Sequence, residues 1–377
     1  MASAQEYGNH MDRFATRREK LLRAVRQAGA SALLVTNYTN VTYLTGFTGD
    51  DSYLLLGRDL AVVISDPRYT TQLAEECPGL DCVIRAPGTA MVPAVARQVQ
   101  AAKLKKLAVE ADSISLALYS ALGSALPKVE WYPAAGLVER LREVKDAGEI
   151  AEIREAVRFA ERAFDVLRAT LRPSRTEKEV ADDLEHQLRL LGANGSSFPP
   201  IVAVGARAAL PHARPTQQRI DAAPFVLIDW GASGRLYKSD LTRVLTTAKI
   251  PPKIERIYRV VLTAQEQAIA AIRPGVLAAD VDKMARGIIA DAGFGRYFGH
   301  GLGHGIGLDI HEGPRLAQGQ ERPLAAGMVV TVEPGIYLPG LGGVRIEDDV
   351  LVTRTGHEVL TRVAKQWEAA AVDLPPA

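Results

Sequence analysis

Phe225-Val226-Leu227-Ile228-Asp229 and Asp240-Leu241-Thr242-Arg243-Val244-Leu245, joined through Gly231 and Gly234, form the stretch on which the fold of this chain turns. Each half is an apolar, strand-like run that ends or starts in an aspartate. A carboxylate on a buried strand is costly unless it is paired or bound to a cation. Two such strands can form a hairpin that presents both carboxylates on one face. Taken alone, the pair also admits a plainer reading, in which strand-end acids are neutralised by Arg243 or Lys238.

The same texture continues downstream. Met328-Val329-Val330-Thr331-Val332-Glu333 and Val344-Arg345-Ile346-Glu347 are further apolar runs that close on an acid. Glu333 is followed by Pro334-Gly335, a turn that takes it out of regular sheet pairing, and Glu347 lies two residues from Arg345, on the same strand face. Between these pieces stands Gly299-His300-Gly301-Leu302-Gly303-His304-Gly305-Ile306-Gly307, too glycine-rich for a helix. It is therefore not the helical zinc motif, whose glutamate would fall at Gly301. His300, His304 and His311, three of the seven histidines, fall within this stretch and the few residues after it.

Each of these residues has a bland alternative. A lone histidine is often a satisfied core residue, each glutamate reads as a solvated strand end, and Asp348-Asp349 beside Glu347 strengthen that view. The joint pattern of Asp229, Asp240, His304, Glu333 and Glu347 points elsewhere. Four carboxylates cannot share a low-dielectric pocket uncompensated, and two divalent ions balance them in formal charge. Oxygen-rich ligands favour manganese, cobalt or magnesium over a thiolate-preferring ion, and the histidine moves the balance toward a transition metal. A two-metal site activates water and polarises a carbonyl, so hydrolysis of an acyl bond is the expected chemistry.

Upstream of the hairpin, Thr176 and Glu179 form a capping box, Val180, Leu184, Leu188 and Leu191 line one helix face, and Gly192 supplies the stop. A charged helix begins near Gly148. Helices followed by strands predict an α+β domain, a curved antiparallel sheet with helices over one face, spanning 146–370. The earlier part alternates: residues 31–35, 52–56, 60–64 and 106–109 read as strands between amphipathic segments, an α/β domain spanning 12–135 with no catalytic cluster. The pattern breaks at Trp131-Tyr132-Pro133-Ala134-Ala135-Gly136, which marks the boundary. Residues 1–11 read as a leader and stay outside the fold argument.

The chain has 377 residues, 47% hydrophobic and 24% charged, enough for two domains with sizeable cores. Lys plus Arg is 45 against 44 acids, so no long-range field recruits nucleic acid or an anionic membrane, and a small substrate is expected. No apolar run is long enough to span a bilayer and no secretory signal is legible, which predicts a cytoplasmic protein. Cys77 and Cys82 are too few for a disulfide framework and are expected to be free thiols.

These segments resemble the pita-bread metallopeptidases, a family that includes methionine aminopeptidase, aminopeptidase P and the Xaa-Pro dipeptidases. The ligand order of that family, Asp, Asp, His, Glu, Glu, is met by Asp229, Asp240, His304, Glu333 and Glu347. Ser197-Phe198 before Ile201-Val202-Ala203, Leu210-Pro211-His212 and Gly307-Leu308-Asp309-Ile310-His311-Glu312 resemble the proline-specific branch, as does the early Tyr43-Leu44-Thr45-Gly46-Phe47. The resemblance implies two metal ions, manganese first with cobalt or zinc as alternatives, bridged by Asp240 and Glu347. Asp229 would hold one ion, His304 and Glu333 the other, with Glu333 also the proton shuttle.

By the same resemblance His212, His300 and His311 contact substrate or the tetrahedral intermediate, and Arg345 orients a carboxylate ligand. Arg315 is a candidate anchor for a substrate carboxylate. Trp230 departs from the slimmer residue expected after the first aspartate. The implied activity is Xaa-Pro dipeptidase, favoured over aminopeptidase P by the short N-terminal domain, on peptides with proline in second position and in a homodimer. Catalytically inert binding proteins and a metal-free creatine-hydrolysing relative share the fold; broken ligand positions would mark them, and a basic surface the binding form, but neither is seen.

Overall fold

The computed structural model describes the backbone of residues 4–372 and the side chains of 13–372, so residues 1–3 of the segment read as a leader lie outside the described residues. The chain divides into two compact units between Arg142 and Glu143. In the first, six strands lie in the order Asp81–Ile84, Leu60–Ser65, Tyr53–Gly57, Ala32–Val35, Lys106–Glu110 and Glu130–Ala134. Ala32–Val35 runs antiparallel to Tyr53–Gly57 and parallel to Lys106–Glu110, a mixed α/β sheet. The stretch expected to be a break, Trp131-Tyr132-Pro133-Ala134, is instead its last strand. Pro133 hid it, and proline is tolerated there because an edge strand has one side free of ladder bonds.

The second unit opens with Ala147–Thr170, capped by an Asp146–Glu149 capping box, and Glu177–Leu190, capped by Thr176 and Glu179. Val180, Leu184 and Leu188 are buried along one face of the latter, as the four-residue spacing requires. Gly192 ends the turn with a φ of +107°, a conformation that disfavours any residue with a Cβ. Every strand pair described in this unit is antiparallel. Ile201–Val204, Phe225–Trp230 and Leu241–Thr246 form one sheet, and Glu312–Leu316, Gly303–Gly305, Val329–Val332, Asp348–Val352 and His357–Val359 another.

Strand alternation splits Phe225–Trp230 between two cores. Phe225 and Leu227 join the cluster built on helices Pro252–Ala271 and Ala278–Asp291, while Val226, Ile228 and Trp230 join the one built on Ala147–Thr170 and Glu177–Leu190. Trp230 is fully buried there, stacked on Phe164 at 4.2 Å with its indole N–H donated to the Ala160 carbonyl at 2.9 Å. Its bulk therefore falls on the face opposite Asp229.

Candidate metal centre

Register brings the acids together. Asp229 stands opposite Thr242 in the hairpin, Asp240 precedes Thr242 by two residues and so shares its face, and Thr242 bridges Glu347. His304 sits in Gly303–Gly305, where the pairing shifts register after His304. Glycine is required on both sides of it: a Cβ on Gly303 would meet the Thr331 carbonyl oxygen at 2.1 Å, and one on Gly305 the Gly313 carbonyl oxygen at 2.1 Å. The Glu333 amide donates to the Leu302 carbonyl at 2.8 Å, which draws the break after Val329–Val332 to the start of the histidine strand.

His304 Nε2 consequently lies 3.3 Å from Glu333 Oε1 and 3.7 Å from Asp240 Oδ2. One potential ligand atom from each of Asp240, His304 and Glu347 falls within 4.8 Å of the others. Asp229 Oδ1 and Glu347 Oε1 are buried without a hydrogen-bond partner. His304 Nδ1 is 3.1 Å from the Gly305 carbonyl, which can only accept, so Nδ1 carries the hydrogen and Nε2 offers its lone pair to the acids. Burial, with His311 nearby, pushes the His304 pKa down to about 4, which keeps that lone pair free at neutral pH.

The carboxyls respond in the opposite direction. Burial raises Asp240 and Glu347 well above the usual range, with the neighbouring carboxylates adding to it, and burial pushes Glu333 up to about 8. Acids that ionise with such difficulty, with orphaned oxygens and a neutral imidazole turned toward them, fit a divalent cation.

The plainer reading of Asp240 fails on its partners. Arg243 pairs with Asp348 at 2.7 Å and donates to the Thr242 and Glu347 carbonyls, and Lys238 reaches Ser233 Oγ with Asp309 near it. Asp348 and Asp349 are not solvated either. Both are buried, Asp348 among Arg243, Thr361, Gln265 and Lys365, and Asp349 accepting the Asp240 amide. Among the described residues, the arginine paired with a carboxylate of the cluster is Arg345: Nη2 pairs with Asp229, Nε lies 3.1 Å from Thr242 Oγ1, and Nη1 lies 2.8 Å from the Tyr337 hydroxyl.

Around this centre stand the remaining residues singled out in the sequence. His311 packs edge-on against His304, ring centroids 4.4 Å apart. His212, exposed after Leu210-Pro211, is near enough to influence the charge of Asp229, His300 and His311. His300 has Nε2 2.9 Å from the Tyr337 hydroxyl and Nδ1 2.8 Å from the Gly301 carbonyl. Arg315 stands opposite His304 in the neighbouring strand; it is exposed and pairs with no carboxylate among the described residues.

Sequence reasoning missed Thr242, Thr331 and Tyr337. Thr331 Oγ1 donates to Glu333 Oε1 at 3.3 Å and accepts the His304 amide at 3.1 Å. Alternation from Asp240 and from Glu333 would have placed both threonines beside the acids. Tyr337 follows the Pro334-Gly335 break and carries no such signal.

Carboxylates and a ligand-ready histidine on buried antiparallel strands define a metallohydrolase, and the comparisons make the class specific. Residues 151–354 match the model of Metallopeptidase family M24, and residues 17–144 match the Creatinase/Prolidase N-terminal domain. The chain belongs to metallopeptidase family M24, a creatinase-type N-terminal domain preceding the pita-bread catalytic fold in sequence.

It is 40% identical to the Xaa-Pro dipeptidase from Bacillus anthracis, whose structure superposes with a TM-score of 0.91 over 94% of this chain and 99% of that one. The X-Pro aminopeptidase from Thermotoga maritima MSB8 is 36% identical, with a TM-score of 0.84 over 91% and 99%. The uncharacterized peptidase YqhT of Bacillus subtilis is 38% identical over 348 residues, 92% of this chain and 98% of its own.

Proposed function

We propose that this peptidase is an Xaa-Pro dipeptidase that holds two divalent metal ions, manganese first, on Asp229, Asp240, His304, Glu333 and Glu347. Once bound, the ions would supply Lewis acidity and an activated water. The chain's own residues do the rest. Glu333, to which Thr331 donates through one oxygen, takes a proton from the attacking water in this reading and passes it to the proline nitrogen. That nitrogen carries no hydrogen in the peptide and cannot leave as a neutral amine without one. His311 and His212, on the exposed side of the cluster, are the donors available to a developing oxyanion.

The observation that carries the dipeptidase reading is Arg315. An exposed guanidinium one strand from His304, with no carboxylate partner among the described residues, suits the free carboxylate of a two-residue substrate. The likeness to the Bacillus anthracis dipeptidase supports it; the likeness to the Thermotoga maritima aminopeptidase keeps aminopeptidase P as the competing reading. A homodimer, two ions rather than one and a cytoplasmic location with both thiols free belong to the same proposal. Among the described residues no helix is long and apolar enough to cross a membrane.

The test is Arg315→Ala. A charge-assisted contact worth about 1.5–3 kcal/mol predicts a KM for an Xaa-Pro dipeptide raised about 10- to 100-fold, with KM for the C-terminally amidated dipeptide unchanged. Equal effects on both substrates would remove Arg315 from carboxylate recognition.

A further inference from the structure

Donor and acceptor chemistry gives the hydrogen bonds behind the centre a single direction. A guanidinium has five N–H groups and no acceptor, so Arg345 Nη1 donates to the Tyr337 hydroxyl oxygen and Arg345 Nε to Thr242 Oγ1. Both hydroxyls thus receive a bond from Arg345 and keep their own hydrogen to give. Thr242 gives its hydrogen to Glu347 Oε2 at 2.6 Å. Tyr337 faces His300 Nε2 at 2.9 Å, and the other ring nitrogen, Nδ1, is 2.8 Å from a backbone carbonyl that can only accept. Burial drives His300 down to about 4, so the ring is neutral, with its one hydrogen on Nδ1 and a bare Nε2 that accepts from Tyr337.

We infer that Tyr337 and Thr242 are positioning residues that extend Arg345 in two directions, through Thr242 to Glu347 and through Tyr337 to an acceptor-only His300, while Arg345 itself holds Asp229. The Arg345 side chain is buried and makes all three contacts, so it holds a single orientation. Thr242 joins two of the five ligand positions, Asp229 across the hairpin and Glu347 by its hydroxyl. His300, with Phe298 edge-on at 5.1 Å, closes the far end of the chain. It has no N–H left for a substrate oxygen, so its part in the reaction passes through Tyr337, and oxyanion donation falls to His212 and His311.

Clamping from behind fixes the His300 backbone. On helix Ala278–Asp291, Arg286 pairs with Asp282 and donates to the Phe298 and His300 carbonyls at 3.0 and 2.8 Å, while Asp282 accepts the Leu302 amide at 3.0 Å. A segment carrying Gly299 and Gly301 has little stiffness of its own, and this pair supplies it.

The inference deepens the proposed function, and only its link to turnover depends on that reading. Its test therefore uses metal-free, isotope-labelled protein without substrate. A two-bond imidazole correlation spectrum, with His300 assigned by its loss in His300→Gln, is expected to show a protonated Nδ1 and a bare Nε2. In Tyr337→Phe that Nε2 signal shifts, which a purely structural role for the ring would not cause. Calorimetric Mn²⁺ affinity is expected to fall about 10- to 100-fold in Tyr337→Phe and in Thr242→Val, the usual loss when an outer-shell partner is removed.

Should Tyr337→Phe fail to fold, the wild-type spectrum and Thr242→Val decide the matter. A protonated Nε2 on His300, or Mn²⁺ affinity within twofold of wild type in the folded variants, overturns the inference. Absence of Xaa-Pro hydrolysis would remove the proposed function and leave both of these readouts standing.

Discussion

At the scale of single residues, the centre is a set of costs arranged to be relieved together. Burying Asp240, Glu347 and Glu333 raises their pKa values, and the orphaned oxygens of Asp229 and Glu347 are what a cation would satisfy. Glu333 contributes little to packing, being part-exposed at the end of its strand. Glu333→Ala is therefore expected to lower kcat by at least about 10²–10⁴-fold, the typical weight of general acid–base catalysis, while the variant still folds cooperatively. Steady-state kinetics beside a thermal melt decide it, and retained turnover removes Glu333 from its role. The four proposed carboxylate ligands were legible because an acid at the end of an apolar run declares its own cost, and His304 because two further histidines and a run of glycines surround it. Their partners were not. Arg243 meets Asp348 across 105 positions and Arg345 meets Asp229 across 116, and no local pattern encodes such contacts.

At the scale of elements, what could be read was what short-range chemistry dictates. The capping box at Thr176 and the four-residue repeat behind it gave Glu177–Leu190 almost to its ends. Thr176→Ala should cost about 0.5–2 kcal/mol of unfolding free energy, measured by denaturant titration. No loss would show that the cap is redundant, Arg175 and Gln218 already tying that corner by their backbones. The strand Glu130–Ala134 was missed because Pro133 mimics a turn, and its place at a sheet edge shows only once the neighbouring strands are ordered. Trp230 stands where a slimmer residue was expected. Counting by twos from Leu227 would have sent it to the other face, where Phe164 and Val226 share its cluster.

At the scale of the whole molecule, the centre couples metal, proton and stability. In the unfolded chain its carboxyls titrate near pH 4, and in the metal-free fold they titrate higher, Glu333 at about 8. Between those limits the folded state holds the extra protons, so metal-free stability falls as pH rises from about 4 to 8. Cations bound on the proposed ligands would take the place of those protons. The gain in thermal midpoint on adding Mn²⁺ to chelator-stripped protein should therefore grow from pH 5 to pH 8, and a constant or shrinking gain would show that the carboxyls do not carry the metal. The sequence divided the chain into an α/β part and an α+β part and attached the chemistry to the second, which is where family M24 matches. It says least about the mouth of the site, where Arg315 is set against His304 by strand pairing alone. The central claim lies there. The direct measurement is kcat/KM of the manganese-loaded enzyme for an Xaa-Pro dipeptide against the Xaa-Pro-Yaa tripeptide of the same first residue. Preference for the dipeptide by tenfold or more is predicted, and cleavage of the tripeptide at equal or better efficiency would contradict the assignment.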